Sequence, residues 1–391
     1  MEIINKSDSG LLEEYENFVK NHRNGSYMQS LKWPNLKSNW GWDAVISRGS
    51  DGKIRGTCLL LIKKIPGLGT SFLYAPRGPV FDYDDAETFA DLFDGIKKLG
   101  KKYKSYEFMC DPFFEEGDKV RSEFLTSRGF THTEHCPPFT TVQVRENYMI
   151  RGIEGITPDE LMATFKPDWR NRVRKAPKKG VYCKLCGTEA LDDFYPIAVD
   201  TGVRDGFTVR SKEYFARFIN AFGPDECRLF MCYVEEDGKE IPLSGAVTTR
   251  YAGKTVYVYG ASANHHRNLY PNYLMQWTMM NWAMEANCDI YDFGGIPYYD
   301  DESNSAYGVY KFKKGFNGEV VTFAGEYYYT LRPVMTKLAK AGHKLYELRR
   351  RILHKRKQDI RAANLKKAGK AEQSAQADNS EQPGNTDGGN A

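Results

Sequence analysis

The 391-residue sequence lacks the features that direct a chain into or across a membrane. It contains no run of about 18 apolar residues, so no transmembrane helix is expected. The N-terminal residues carry neither the basic region nor the apolar region of a signal peptide. We therefore expect a cytoplasmic protein.

The sequence also has only one pair of cysteines at a metal-binding spacing. Eight cysteines are present, and most lie within apolar, strand-like runs, where a free thiol behaves as a small hydrophobic side chain. Cys183 and Cys186 have a metal-binding spacing, but no second pair accompanies them. On a strand they would also point to opposite faces. We expect no metal centre at this pair.

Charge is unevenly distributed along the chain. The composition, 41% hydrophobic and 27% charged, is that of a globular protein long enough for two domains. Residues 334–370 have a net charge of +11, residues 371–391 hold 4 acidic residues and no basic ones, and the first 333 residues have a net charge of −3. A concentrated basic segment indicates a polyanionic partner, either nucleic acid or an anionic membrane surface.

The basic segment begins with a predicted amphipathic helix over residues 334–357. Its apolar stripe consists of Leu338, Ala341, Leu345, Leu348 and Ile352. Such a helix would lie on a membrane, contact RNA, or pack against the body of the protein with its charges in solvent. Residues 358–391 are predicted to be a basic and then disordered tail, because Gln, Ser, Asn, Gly and acidic residues dominate from about residue 371.

Before this segment, one order of elements occurs twice. The first copy consists of a helix over residues 9–22, a hairpin over 42–65, a strand over 71–74, a helix over 84–103 and a strand over 105–110. The second copy, about 185 residues later, consists of a helix over 211–222, a hairpin over 228–250, a strand over 255–259, a helix over 272–286 and a strand over 289–293. Further helices are predicted over 161–175 and 190–199. We therefore predict an α/β (α+β) protein built from two copies of one unit.

This order of elements resembles the N-acetyltransferase (GNAT) fold. Ordinary members bind the pyrophosphate of acetyl-CoA at a helix N-terminus, through a turn with two glycines and free backbone amides. The corresponding loops here, residues 77–85 and 263–271, lack the two glycines. The sequence is therefore similar to an acyltransferase fold without its usual acyl-donor site.

A candidate active-site edge lies at residues 289–316. A buried strand ends at Gly294 and Gly295, where the backbone can bend sharply and approach a ligand closely. Lys311, Lys313 and Lys314 return within about twenty residues, between aromatic side chains. The alternative is an ordinary strand–loop–strand segment with its lysines in solvent.

A series of motifs runs in order through residues 25–330. These motifs are Gln29-Ser30…Trp33…Lys37…Trp40, Ala75-Pro-Arg-Gly-Pro79, Tyr106…Asp111-Pro112, Lys166…Arg170-Asn-Arg-Val-Arg-Lys-Ala, Thr201-Gly-Val-Arg204…Arg210…Tyr214, Tyr257-Val-Tyr-Gly-Ala-Ser262, Tyr291-Asp-Phe-Gly-Gly295 and Tyr310-Lys-Phe-Lys-Lys-Gly-Phe316. No single motif is specific, but their common order resembles the Fem aminoacyltransferases (FemABX) of cell-wall peptidoglycan synthesis.

The resemblance implies two tandem GNAT-like (acyl-CoA N-acyltransferase-like) domains, at residues 1–148 and 149–324, with the first completed by chain at about 325–357. It implies the compact form of the family, since no heptad pair for a coiled-coil arm occurs in residues 199–257. The implied activity is transfer of an amino acid from aminoacyl-tRNA to the stem-peptide amine of UDP-MurNAc-pentapeptide or lipid II, which forms an interpeptide bridge. No cofactor is expected, because an aminoacyl ester is already activated.

Two residues are candidates for the chemistry. Lys313 would stabilise the tetrahedral oxyanion, because a cationic donor is strongest in a water-poor site. Lys311 is a weaker candidate, since it would point to the other face if the segment is a strand. Asp111 follows an apolar strand and would accept the proton of the attacking ammonium group or position the amine. The alternative for Asp111 is a turn-initiating residue that caps its own loop.

The resemblance also implies contacts to the acceptor. Lys37 and Arg210 match family positions that bind its diphosphate, and a guanidinium suits phosphate because its planar fork bonds bidentately. Aromatic contacts are expected from Trp40, Tyr106, Tyr214, Tyr257 and Tyr259. The last two share one face of a regular strand, so either could line the site. Tyr106 and Asp111 would point to opposite faces of their strand unless a bulge intervenes.

The donor RNA would contact basic side chains. The candidates are Lys166, Arg170, Arg174 and Lys175, or the C-terminal basic helix. That helix would alternatively give peripheral contact at the inner face of the membrane. Two other functions stay open: a CoA-dependent N-acyltransferase, which the missing glycine turn disfavours, and a non-enzymatic RNA- or membrane-binding protein, which the basic helix favours.

Overall fold

The computed structural model describes residues 1–133 and 140–344. The chain divides into two units, Met1–Arg332 and Pro333–Ala391. The strands of the first unit are β1 (Glu2–Ile3), β2 (Gly41–Arg48), β3 (Ile54–Ile65), β4 (Thr70–Ala75), β5 (Val80–Phe81), β6 (Ser105–Cys110), β7 (Thr131–His132), β8 (Glu146–Arg151), β9 (Tyr182–Cys186), β10 (Cys227–Glu236), β11 (Lys239–Tyr251), β12 (Lys254–Ser262), β13 (Ile290–Gly295), β14 (Glu319–Thr322) and β15 (Tyr327–Thr330). Its helices are α1 (Ser9–Asn21), α2 (Ala86–Lys102), α3 (Lys119–Thr126), α4 (Pro158–Thr164), α5 (Pro167–Lys178), α6 (Leu191–Asp205), α7 (Lys212–Phe222), α8 (Pro271–Glu285) and α9 (Tyr307–Lys314).

The strands of the first unit form two sheets. The first has the order β1-β2-β3-β4-β6-β15-β7, with β5 beside β3, and the second has the order β14-β8-β13-β12-β11-β10-β9. The last strand, β15, follows all strands of the second sheet and returns to the first, where it pairs with β6 and β7. The expected domain boundary at 148/149 falls within β8, which pairs with β13 and β14 of the second sheet.

The predicted duplication is confirmed. The series β2, β3, β4, α2 and β6 recurs as β10, β11, β12, α8 and β13. Each series begins with an antiparallel hairpin and ends with a parallel pair, β4 with β6 and β12 with β13. A helix crosses between the two parallel strands in both copies, because parallel neighbours need such a crossover.

Three large apolar clusters and one small one lie among the described residues of the first unit. The side chains of α2 pack with the first sheet, and those of α5 and α8 pack with the second. A third cluster contains buried residues from both sheets and from α1, α6 and α7. Within it, the rings of Tyr27 and Phe218 lie 6.0 Å apart. This shared core joins the two copies of the unit, since removing apolar surface from water stabilises contact at about 25 cal/mol per Å².

The predicted single helix over residues 161–175 is wrong. The structure has α4 and α5 instead, separated by extended residues Phe165 and Lys166. Lys166 precedes Pro167, and the proline ring disfavours a helical conformation in the residue before it. Pro167 then occupies the first turn of α5, where a missing backbone N–H costs nothing.

The second unit is helical over residues 333–344, in agreement with the start of the helix predicted over 334–357. The rest of that helix and the tail at 358–391 lie outside the described residues. In the described ranges, no helix combines the length and the hydrophobicity that crossing a membrane requires.

Candidate active site

A cavity of about 320 Å³ lies where β12 and β13 separate. The two parallel strands pair from Lys254 opposite Ile290 to Val256 opposite Asp292, although both continue further. Gly294 has a φ of 73°, a left-handed conformation that glycine adopts without steric cost. Beyond the last pair, both strands contribute to the walls of the cavity.

Both copies of the unit contribute to the cavity. Its lining includes Tyr27, Trp33, Lys37, Arg77, Phe113, Asn147, Arg210, Tyr214, Tyr257, Tyr259, Asp292, Gly294, Gly295 and Phe323. The cavity therefore brings together five residues that the sequence singled out, from distant segments of the chain. They are Lys37, Arg210, Tyr214, Tyr257 and Tyr259.

One part of the cavity wall is cationic. The side-chain nitrogen of Lys37 lies 4.5 Å from the ring of Trp33, and the guanidinium carbon of Arg210 lies 5.4 Å from the ring of Tyr214. Burial, together with the positive charge of Arg210, lowers the pKa of Lys37 to about 8. Two cations that repel each other within one cavity are stabilised by an anion between them, and a diphosphate supplies such charge.

The expectation that Tyr257 and Tyr259 share one face is wrong. The register of β12 against β11 shifts between these residues, where Tyr259 pairs with Val247 and Tyr257 pairs with Thr248. The extra residue of this bulge breaks the alternation of side chains. Tyr257 packs with the core of the second sheet and Tyr259 with the shared core, yet both line the cavity.

The position of Tyr257 depends on a glycine. A Cβ atom on Gly260 would lie 1.5 Å from the hydroxyl oxygen of Tyr257. No real Cβ contact is that short, so any larger residue at position 260 would displace the tyrosine ring. The hydroxyl oxygens of Tyr259 and Tyr214 lie 3.2 Å apart, which connects the other tyrosine wall to α7.

A buried carboxylate, Asp292, also lines the cavity. It accepts hydrogen bonds from the side-chain amide of Asn147 at 2.9 Å and from the backbone N–H of Gly294 at 2.7 Å. Burial raises the pKa of Asp292 above its ordinary value, although these donors and Lys313 act in the opposite direction. The amide oxygen of Asn147 is buried and has no hydrogen-bond partner in the described part of the chain. A ligand N–H would satisfy it.

Lys313 lies behind the glycine turn. It belongs to α9 rather than to a strand. Lys311 and Lys314 are exposed, whereas Lys313 is 5% exposed. Its side-chain nitrogen donates to the carbonyl oxygens of Gly294 at 3.2 Å and Gly295 at 2.8 Å. Burial lowers the pKa of Lys313 to about 7, against the opposing charge of Asp292. An ammonium group has three donors, and the described residues engage two of them.

Asp111 lies one layer away from the cavity. Its carboxylate accepts the backbone N–H of Arg77 at 2.7 Å and the hydroxyl of Tyr74 at 3.0 Å. Gln143, which lines the cavity, donates to the same hydroxyl oxygen at 3.1 Å. Burial raises the pKa of Asp111 to about 6. Asp111 therefore holds the turn that contains Arg77, which is a different loop from the one that Asp111 begins.

Arg77 contributes a positive charge to the cavity wall. Its φ of 51° is left-handed, and such a conformation in a residue other than glycine costs energy that the surrounding contacts must offset. The guanidinium group donates to the carbonyl oxygen of Val144 at 3.0 Å and lies 4.0 Å from the ring of Phe323. These contacts hold it in the cavity wall.

Two predicted acceptor contacts are not in this cavity. The ring of Trp40 faces the side-chain nitrogen of Lys63 at 5.3 Å, and the ring of Tyr106 packs 5.8 Å from that of Phe72. Neither residue lines the cavity. A substrate contact at either position stays a prediction and requires a ligand that extends beyond the cavity.

The candidate RNA contacts lie at the start of α5 and along it. Lys166, Arg174 and Lys175 are exposed, whereas Arg170 is half-buried and donates to the carbonyl oxygens of Ala163 and Phe165. The indole N–H of Trp169 donates to the carbonyl oxygen of Phe312 at 2.8 Å. This hydrogen bond attaches the basic helix α5 to α9, the helix that carries Lys313.

Several residues of the cavity had no role in the sequence analysis, among them Arg77, Asn147 and Asp292. Arg77 and Asp292 lie within two of the recognised motifs, and Asn147 lies in β8. A signal was present for Asp292, because it is a carboxylate inside an otherwise apolar strand that ends in two glycines. Asn147 becomes visible only when β8 is placed beside β13, and Arg77 only when its guanidinium group meets Val144 and Phe323.

A cavity with a cationic wall, at the separation of two parallel strands in a duplicated GNAT-like unit, is typical of an acyl-transferring enzyme. Comparison with known proteins supports this class. The model of the FemAB family matches residues 12–236 and 230–344, so the chain belongs to the FemAB family.

Individual relatives match over most of the chain. The chain is 29% identical to a lipid II:glycine glycyltransferase of Staphylococcus aureus (strain USA300), over 83% of this chain and 93% of that protein. The match to the protein of the same name in strain N315 has the same values. The crystal structure of FemX superimposes with a TM-score of 0.79 at 27% identity, covering 86% of this chain and 99% of that chain.

Proposed function

We propose that the protein transfers an amino acid from aminoacyl-tRNA to an amine of the stem peptide of a peptidoglycan precursor, and so forms the interpeptide bridge. One observation carries this proposal. In a FemAB chain, a single cavity has the Lys37–Arg210 pair as one part of its wall and the Gly294–Gly295 turn, backed by Lys313, as another. The first suits an acceptor diphosphate, and the second suits a developing oxyanion.

The reaction needs positioning and charge stabilisation. The acceptor amine attacks the ester carbonyl carbon, a C–N bond forms, and the C–O bond to the tRNA ribose breaks. Holding the two reactants together contributes roughly 7–11 kcal/mol to lowering the barrier. Lys313 does not itself line the cavity. In this proposal the third donor of its ammonium group reaches the oxyanion from behind the turn and stabilises the developing charge. The two glycine carbonyls fix the position of that group.

The attacking amine must lose a proton. Asp111 is the first candidate for the group that accepts this proton. Asp292 lines the cavity and Asp111 does not, so we propose Asp292 as the proton acceptor. In this proposal the amide oxygen of Asn147, which has no hydrogen-bond partner among the described residues, would receive an N–H of the same amine beside Asp292. Asp111 would act through the Arg77 turn, as a positioning residue.

The donor and the location of the protein follow from this reaction. We propose that the exposed side chains of Lys166, Arg174 and Lys175 contact tRNA phosphates, because α5 is attached to α9. Charged tRNA is a cytoplasmic substrate, which places the reaction in the cytoplasm. If the acceptor is lipid-linked, the basic segment that begins in the second unit would hold the protein at the inner face of the membrane.

The direct test is incorporation of a radiolabelled amino acid. The full-length protein is incubated with a panel of charged tRNAs and with either UDP-MurNAc-pentapeptide or lipid II. We expect label in at least one acceptor, and no label with any tRNA would reject the proposal. Tight binding of acetyl-CoA by calorimetry would instead favour the CoA-dependent N-acyltransferase.

The tRNA surface has its own test. Arg174→Glu combined with Lys175→Glu should raise KM for the charged tRNA about tenfold or more and reduce its salt dependence. The matched control is Lys97→Glu with Lys98→Glu on α2, which removes the same charge from a surface that does not line the cavity. An equal effect of both double variants would mean that only net charge matters.

A further inference from the structure

A second cavity adjoins the first and is largely apolar. It has a volume of about 550 Å³, within the usual range for ligand sites. Three of its wall residues, Arg210, Val258 and Tyr259, also line the candidate active site. The remaining wall is mainly hydrocarbon, from residues that include Phe194, Phe207 and Phe215. Arg210 therefore stands at the junction between a cationic cavity and an apolar one.

The fold builds the outer wall of this second cavity from the loop after α6. The backbone N–H of Phe207 donates to the carbonyl oxygen of Gly202 at 3.0 Å, which turns the loop back onto the helix. A Cβ on Gly202 would lie 2.5 Å from the Cγ2 atom of Val209. Glycine at this position lets the loop approach closely and places its apolar side chains against the cavity.

Exposed apolar side chains occur in two of the segments that contribute to this cavity, α6 and the loop after it. Phe207 is 51% exposed, and Val199 and Val203 on α6 are 38% and 81% exposed. Val199 and Val203 are four residues apart, so they lie on one face of the helix. A contiguous exposed apolar patch marks a surface that meets an apolar ligand or a membrane, whereas single exposed apolar side chains are ordinary.

We propose that the second cavity receives the first isoprenoid units of a lipid-linked acceptor, while Lys37 and Arg210 hold its diphosphate. The proposal rests on the proposed function with the lipid-linked acceptor that the name of the glycyltransferase relative gives, and it adds the place where the lipid would lie. A polyprenyl diphosphate has hydrocarbon directly beyond its phosphates, which is the order of surfaces that Arg210 separates. A uridine in the same place would bury several polar base atoms against phenylalanine and valine, and unpaired buried polar groups cost binding energy.

Calorimetry on the full-length protein with three probes tests the proposal. The probes are inorganic diphosphate, UDP and farnesyl diphosphate, which share the diphosphate and differ in the group attached to it. We expect farnesyl diphosphate to bind at least tenfold more tightly than inorganic diphosphate and more tightly than UDP. If UDP binds most tightly, the cavity is a uridine site, and if all three bind equally it takes neither group. Either result overturns the proposal.

Phe207→Gln provides the matched variant, since the side chain is half exposed and its replacement should not prevent folding. The ratio of farnesyl diphosphate affinity to inorganic diphosphate affinity should fall from tenfold or more to near one. Val120→Gln, at a valine on α3 that is 73% exposed, should leave the ratio unchanged. A ratio that Phe207→Gln does not alter would place the prenyl group elsewhere and reject the assignment.

The transfer assay separates this inference from the proposed function. Transfer without any preference for the farnesyl probe rejects the isoprenoid site and keeps the aminoacyltransferase. A farnesyl preference in a protein that transfers no amino acid to any acceptor rejects the aminoacyltransferase and keeps the isoprenoid site.

Discussion

The side-chain nitrogen of Lys313 donates a hydrogen bond to the carbonyl oxygen of Gly295 at 2.8 Å. This contact joins a buried cation on α9 to the glycine turn that ends β13 and lines the cavity. The turn thus has two functions in our account. It lets the ligand approach the backbone closely, and its carbonyl oxygens fix the Lys313 ammonium group that would stabilise the oxyanion.

Replacing Lys313 should remove most of the activity. We expect Lys313→Met to lower kcat for aminoacyl transfer by about 10²- to 10³-fold, the usual effect of losing one oxyanion donor. Steady-state kinetics measures this effect, and a melting curve establishes that the variant is folded. The matched control is Lys311→Met on the same helix, which removes an exposed lysine and should leave kcat within about twofold. Equal losses in the two variants would show that the position of the cation does not matter.

The pH dependence of transfer should reflect the buried position of Lys313. Burial lowers the pKa of Lys313 to about 7, so the ammonium form required by our account is lost as pH rises through this value. We expect kcat to fall on the alkaline side with a midpoint near pH 7. In Lys313→Arg this alkaline limb should disappear, because a guanidinium stays protonated. An unchanged alkaline limb in that variant would assign the titration to another group.

The acidic side of the same profile distinguishes the two aspartates. Burial raises the pKa of both Asp111 and Asp292, that of Asp111 to about 6. A carboxylate that accepts the proton of the amine must be ionised, so activity rises with pH through the pKa of the group that does this. Asp292→Asn should abolish this limb, whereas Asp111→Asn should lower kcat and keep the limb. The reverse pattern would make Asp111 the proton acceptor.

The close contact at Gly260 predicts a graded effect on the acceptor site. Gly260→Ala places a methyl group where the hydroxyl of Tyr257 lies, and forcing extra volume into a packed site typically costs about 1–3 kcal/mol. We expect a lower melting temperature and a raised KM for the acceptor. Gly308→Ala on α9 is the control, because its Cβ would meet nothing within 4 Å. Alanine there should slightly stabilise the helix, by up to about 1 kcal/mol.

The cationic part of the wall should determine acceptor affinity. Removing one charged hydrogen-bond donor costs about 1.5–3 kcal/mol, so Lys37→Ala or Arg210→Ala should each raise KM for a diphosphate-linked acceptor roughly 10- to 100-fold. The double variant should show less than the sum of the two effects, since the residues share one ligand. Arg217→Ala on α7 is the exposed control. If KM for a muropeptide without diphosphate rises by the same factor in these variants, Lys37 and Arg210 do not bind the diphosphate.

Much of the fold could be predicted from the sequence because local patterns and long-range structure agree. The hairpins flank glycine-containing turns, and the helix α2 carries a regular apolar stripe, so their periodicity determines their type. Strand β6 occupies residues 105–110, as predicted. The repeated order of elements then identified the duplicated unit. The domain boundaries at 148/149 and 324/325 stay a prediction.

The site could be predicted only in part. Lys37 and Arg210 came from motifs and meet in one cavity. The bulge in β12 could not be foreseen, because alternation of Tyr257 and Tyr259 assumes a regular strand. The helix α9 was also missed, since aromatic and lysine residues alternate in that segment in the manner of a strand. Asp292 and Asn147 meet only through the pairing of β13 with β8, which no local pattern reveals.

The mass of the muropeptides from a deletion strain tests the central claim most directly. Cells that lack the protein should produce stem peptides without the added bridge residue, and the mass of that residue should return when the wild-type chain is supplied. The Lys313→Met chain, expressed at the same level, should fail to restore it. Unchanged muropeptide masses in the deletion strain, or full restoration by Lys313→Met, would contradict our account of this cavity.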